Sequence, residues 1–163
     1  MKNLIVIAFC LVTGICNAQT EVVKLYDPAA DAAKDIKAAV KKAKAENKYV
    51  LIHAGGNWCT WCFEFVKFCK ADPKIDSVLN TSFVIYYLNT DKDNKNDKTF
   101  AKYGYPQRFG FPVFIILDQK GNRIHTQNSV YFEDGKKSYE KTKVLSFLEM
   151  WSPRALDPKS YVE

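Results

Sequence analysis

The chain has few of the residues that most often mark a function. Its 163 residues hold only two histidines, His53 and His125, and neither has a serine or carboxylate partner at hydrolase spacing. Gly55-Gly56 is too short for a phosphate-cradling loop and lacks the Lys-Ser/Thr that would follow one. Beyond the N-terminal apolar run there is no second long apolar segment, so no later membrane span is expected. The net charge of +6 comes from lysines that are scattered or gathered on one early helix, without interleaved aromatics. That pattern reads as a solvated helix face and argues against a nucleic-acid partner. No repeats or linkers appear. Cysteine is scarce too, at five residues, which excludes a disulfide-stapled scaffold.

The first eighteen residues stand apart. Lys2 precedes an apolar stretch, Leu4 to Ile15, broken only by Thr13-Gly14, and Cys16-Asn17-Ala18 offers small residues around a cut after Ala18. Residues 1–18 therefore read as a secretory signal peptide, with a periplasmic or secreted destination. A lipid anchor on Cys16 is the less favoured alternative, because bulky Ile15 stands where a small residue is expected. Residues 19–163 would then form one domain, large enough for a real core. Cys10 and Cys16 leave with the signal, so Cys59, Cys62 and Cys69 remain. In an oxidising compartment an odd count leaves at least one thiol unpaired within the chain.

Secondary structure follows from punctuation and period. Asp27-Pro28 predicts a helix start, and Ala29 to Glu46 carries apolar residues at helical spacing. Tyr49 to Ala54 is a near-continuous apolar run, as in a strand buried on both faces. A second helix is expected from about Cys59 to Lys70, and a third from Asp72-Pro73 to Leu79. Strands are expected at Phe83–Leu88 and Val113–Leu117, and a short helix at Thr99–Tyr103. Asp118 to Asn122 would turn the chain into a hairpin strand, Arg123–Thr126. A last amphipathic helix is expected over Ser138–Trp151. This alternation implies one α/β domain with a mixed sheet.

The chemistry lies in Trp58-Cys59-Thr60-Trp61-Cys62, directly after the apolar strand. Two thiols at the first turn of a helix can close a small ring and reopen it. Unpaired backbone N–H groups and about half a positive charge at the helix N-terminus favour a thiolate there. The spacing thus points to thiol–disulfide exchange. Zinc is the rival use of Cys-x-x-Cys, with His53 and Cys69 as further donors. A second ligand pair at comparable spacing is missing, so no metal or other cofactor is expected. Cys69 reads as a small buried hydrophobe, with an intermolecular thiol as the alternative.

Strand, Cys-x-x-Cys, helix, strand and Gly110-Phe111-Pro112 about fifty residues downstream resemble the thioredoxin superfamily. The resemblance covers roughly Lys34 to Trp151. It includes the Asp72-Pro73 … Leu79-Asn80 … Phe83 pattern of exported members such as the C-terminal domain of the transmembrane thiol:disulfide interchange protein. It implies a three-layer α/β sandwich, with a central mixed sheet covered by helices on both faces. It assigns Cys59 as exposed nucleophile, Cys62 as the deeper resolving cysteine, and a Cys59–Cys62 disulfide. Pro112 would be cis and face the pair, with Trp58, Trp61 and Phe111 lining an apolar docking surface. The implied activity is a thiol:disulfide oxidoreductase acting on exported cysteine-containing proteins, as reductant or isomerase rather than oxidant. A membrane thiol donor would recharge it.

Two departures stand out. His53 replaces the buried acid that many thioredoxins carry six residues before the first cysteine. It reads either as a proton acceptor for the resolving thiol or as a satisfied core histidine. Thr60-Trp61 replaces Gly-Pro between the cysteines, a segment that tunes a potential spread over ~150 mV in the superfamily. A non-catalytic binding module with a permanently closed disulfide is the alternative to an enzyme.

Overall fold

The computed structural model describes residues 24–162. The signal peptide expected at 1–18 lies outside them. Helix α1 spans Ala32–Ala45, strand β1 Tyr49–Gly55, helix α2 Thr60–Ala71, helix α3 Pro73–Ser82 and strand β2 Phe83–Asn89. Helix α4, Asp97–Lys102, is followed by strands β3, Val113–Leu117, and β4, Arg123–Asn128, and by helix α5, Lys141–Met150.

The strands form one mixed sheet in the order β2-β1-β3-β4. β1 runs parallel to β2 and antiparallel to β3, and β3 is antiparallel to β4. The near-continuous apolar run of β1 and the continuous one of β3 occupy the two central positions, where a strand is covered on both sides. Period-two alternation divides them between two cores. Val50, Ile52, Ala54, Val113, Ile115 and Leu117 face one side with Ile36 and Phe100, under α1 and α4. Leu51, Phe114 and Ile116 face the other with Phe65, Ile75 and Phe147, under α2, α3 and α5. Helix, sheet, helix is the three-layer α/β sandwich implied by the sequence.

Helix ends moved where side chains offered a better cap. α1 begins at Ala32 because the Asp31 carboxylate accepts the Lys34 N–H, whereas Asp27 accepts from Ala29 N in a separate turn. The start predicted at Asp27-Pro28 is thus a turn. α5 begins at Lys141, because the Asp134 carboxylate takes the N–H groups of Lys136 and Ser138 and holds that stretch in a loop. Tyr139, expected on the helix, instead pairs across a bridge with Glu133 and is buried. α2 starts at Thr60, since Cys59 is its N-cap.

Candidate active site

β1 ends at Gly55, and Gly56-Asn57-Trp58 turns the chain into α2. Cys59 sits at the N-cap, with its Sγ accepting the Cys62 N–H at 3.2 Å. The first turn of α2 itself holds no acidic residue to oppose an ionised Cys59 at the positive helix end. Cys59 and Cys62 are joined as a disulfide, with Cα atoms 5.3 Å apart. Cys69, two turns farther along the same helix, is a buried free thiol.

Exposure departs from expectation. Cys62 is fully buried, but Cys59 also keeps only 4 % of its surface exposed. The cause is local cover: Leu25, Tyr26, Trp61 and Phe111 pack around the disulfide. Leu25 and Tyr26 come from the segment before α1, which sequence reading passed over. Asn57 holds that segment in place. Its Oδ1 accepts from Leu25 N and Tyr26 N, both at 3.1 Å, and its Nδ2 donates to the Tyr26 carbonyl at 2.8 Å. The sequence offered no cue to this clamp, because the partners lie about thirty residues apart in unremarkable loops.

The three aromatics assigned to a docking surface do not behave alike. Trp58 is 58 % exposed and meets Phe111 edge to face, with ring centroids 5.6 Å apart. Phe111 is half-buried between the disulfide and Phe100. Trp61 turns inward and packs on Tyr139, whose hydroxyl donates to the Trp61 carbonyl at 2.9 Å. Of the three, Trp58 and Phe111 lie together at the surface, whereas Trp61 packs α2 against Tyr139. The Phe111–Pro112 bond is cis, one step before the Val113–Ala54 pair that brings β3 alongside the end of β1.

His53 lies on the β1 face that also carries Gly55, and 2 % of it is exposed. Phe114, Tyr87, Phe65 and Tyr26 surround its ring at centroid distances of 5.1, 5.4, 5.6 and 5.9 Å. Burial among these rings pushes its pKa down to about 3, so the imidazole is neutral at working pH. Its Nε2 has no hydrogen-bond partner among the described residues. Cys69 is pushed the other way, up to about 12, by burial and then by the nearby Asp76 and Asp72 carboxylates. Among the described residues no group of three or more His, Cys, Asp or Glu is placed to hold a metal, and no helix is long and apolar enough to cross a membrane.

The thioredoxin-like domain family matches residues 36–136, more than half of the chain. Over 79 residues the chain is 30 % identical to thiol:disulfide interchange protein DsbD of Salmonella typhi, covering 48 % of this chain and 13 % of that protein. Over 93 residues it is 26 % identical to the Colwellia psychrerythraea protein of the same name, covering 57 % and 15 %. The chain thus spans a small part of the length of these relatives. The disulphide isomerase of Xylella fastidiosa Temecula1 superposes with a TM-score of 0.66 at 23 % identity, over 77 % of this chain and 95 % of that one. The oxidised C-terminal domain of DsbD from Neisseria meningitidis superposes at 0.53 and 17 % identity, over 72 % and 94 %. These likenesses agree on the fold, and the chain belongs to the thioredoxin-like family.

Proposed function

We propose that this member of the thioredoxin-like family is an exported thiol:disulfide oxidoreductase working through Cys59 and Cys62. The observation that carries the reading is the pair itself, bridged across the first turn of α2 beside Phe111-Pro112. In the reduced enzyme the Cys59 thiolate attacks a substrate disulfide. One S–S bond breaks, a mixed disulfide forms, and one substrate sulfur leaves as thiolate. Cys62 then gives up its proton and attacks Cys59 Sγ. The Cys59–substrate bond breaks, the Cys59–Cys62 bond forms, and the second substrate sulfur leaves and takes a proton. Two electrons pass to the substrate, and a thiol donor outside this chain, such as a membrane thiol relay, must return them.

The substrates are exported proteins with accessible cysteines, which present an extended segment to Trp58 and Phe111 beside Pro112. Likeness to proteins named for disulfide interchange and isomerisation favours reduction or isomerisation over net oxidation. His53, neutral and with its Nε2 unpartnered among the described residues, is part of the aromatic wall against Tyr26. Its burial-lowered pKa disfavours storing the proton of Cys62 there.

The slight exposure of Cys59 favours a second reading, a binding module with a permanently closed disulfide. Insulin reduction separates the two. Turnover by the wild-type protein that vanishes in Cys59→Ser, with partner binding intact, supports the enzyme. No turnover by the wild type supports the module.

A further inference from the structure

The Tyr26 hydroxyl is a polar group beside the disulfide with no role so far. Tyr26 is 1 % exposed, and its Oη has no hydrogen-bond partner among the described residues. Phenylalanine would fill the same space without burying an unpaired hydroxyl, which costs stability. The location of the oxygen is informative. A β-carbon added at Gly55 would collide with Cys62 Sγ and stand 2.6 Å from Tyr26 Oη. Sulfur and hydroxyl thus crowd the same small space, which Gly55 leaves clear by having no side chain. The ring is held edge-on between His53, at 5.9 Å, and Tyr87, at 5.8 Å. The backbone of Tyr26 is clamped by Asn57, two residues before Cys59.

We propose that Tyr26 is a catalytic residue of the resolving step, its hydroxyl donating a hydrogen bond to the Cys62 sulfur as that sulfur becomes a thiolate. The proposal rests on the exchange reading above. In the disulfide the sulfur carries no charge. When Cys62 loses its proton to attack Cys59 Sγ, an anion forms in a buried, largely aromatic site. A fixed O–H is worth most there, because charge-assisted hydrogen bonds are the strong ones. Burial also drives the Tyr26 pKa upward, so the hydroxyl keeps its proton and remains a donor at every working pH. The titratable groups facing Tyr26 are Tyr87 and Tyr139, whose pKa values burial also raises, and neutral His53, and none of them supplies a charge at neutral pH; the Asp91 carboxylate stands beside Gly56 and Trp58 at the turn into α2.

The test follows the two sulfurs separately. Reduced protein is mixed with equimolar 5,5′-dithiobis(2-nitrobenzoate), which releases one coloured thiolate when Cys59 attacks and a second when Cys62 resolves. In Tyr26→Phe the first release should be unchanged. The second should slow about tenfold near neutral pH, with its pH midpoint moved up by about one unit. Asn57→Ala, which frees the segment but keeps the hydroxyl, should also slow only the second release, and it supplies the test if Tyr26→Phe fails to fold. Second releases equal to wild type in rate and midpoint would overturn the proposal, as would equal slowing of both releases. If the wild type gives no second release, the exchange reading itself falls, and the proposal with it.

Discussion

The two ends of helix α2 put the same side chain in opposite circumstances. At the start, Cys59 caps the helix, receives a backbone N–H, and is bonded to Cys62 beneath a cover of loop and aromatic residues. Two turns on, Cys69 packs among Phe65, Ile75 and Leu79 in the core, and burial pushes its pKa up to about 12. On the proposed exchange reading, a cysteine is reactive because of the helix end it occupies, and inert where the helix merely presents it to a core. The difference is positional. It extends to stability, since the N-terminal end of α2 carries the disulfide while Phe65 and Cys69 hold the helix to the sheet.

The comparison can be broken most severely at Cys59. Cys59→Ser should drop insulin reduction to the level of a protein-free control, whereas Cys69→Ala should leave it within a factor of about two, given how little a core thiol shares with the site. Equal losses in both would erase the distinction between the two ends. At the packing end, Phe65→Ala should cost about 3–5 kcal/mol, read as a lowered denaturant midpoint. Its ring is buried against Phe114, Tyr139 and Phe132 at centroid distances of 4.4, 5.3 and 6.3 Å.

Beneath the active end, His53 makes a pH prediction whose sign is fixed by its depressed pKa. The unfolded chain binds a proton near its ordinary value of about 6.5, while the folded chain resists until about 3. This contribution to stability is complete above the unfolded value. It is lost as pH falls through the window down to about 3, because the unfolded state binds more protons. Between pH 7 and 5 the loss should approach about 2 kcal/mol, measured as a fall in urea midpoint, and His53→Phe should remove most of it. An unchanged difference in His53→Phe would assign the loss to other groups. Smallest of all, Cys69→Ala should lower stability by about 1 kcal/mol, the scale of one small buried group.

How much of this could be read beforehand depends on which forces are local. The central strands were legible because Tyr49–Ala54 is apolar except at His53 and Val113–Leu117 is apolar throughout, a pattern that suits a doubly covered strand. The Cys59/Cys62 pair was legible from its spacing and from the strand before it. The Asp72-Pro73 start of α3 was legible too, but the starts of α1 and α5 were not, since Asp27, Asp31 and Asp134 are all good caps and tertiary packing chose among them. Nor was the cover over the disulfide. Asn57 and Tyr26 meet only after the fold is complete, and the same contacts leave Cys59 far less exposed than a helix N-terminus alone would suggest.

The account stands on the pair opening and closing inside a folded protein. The direct measurement is to equilibrate wild-type protein in defined thiol–disulfide buffers, quench in acid, alkylate, and count modified cysteines. The account predicts that Cys59 and Cys62 open together in one two-electron transition, at a potential nearer about −270 mV than about −120 mV, with the native fold retained. A bridge that stays shut under strong reductant until the protein unfolds would contradict it.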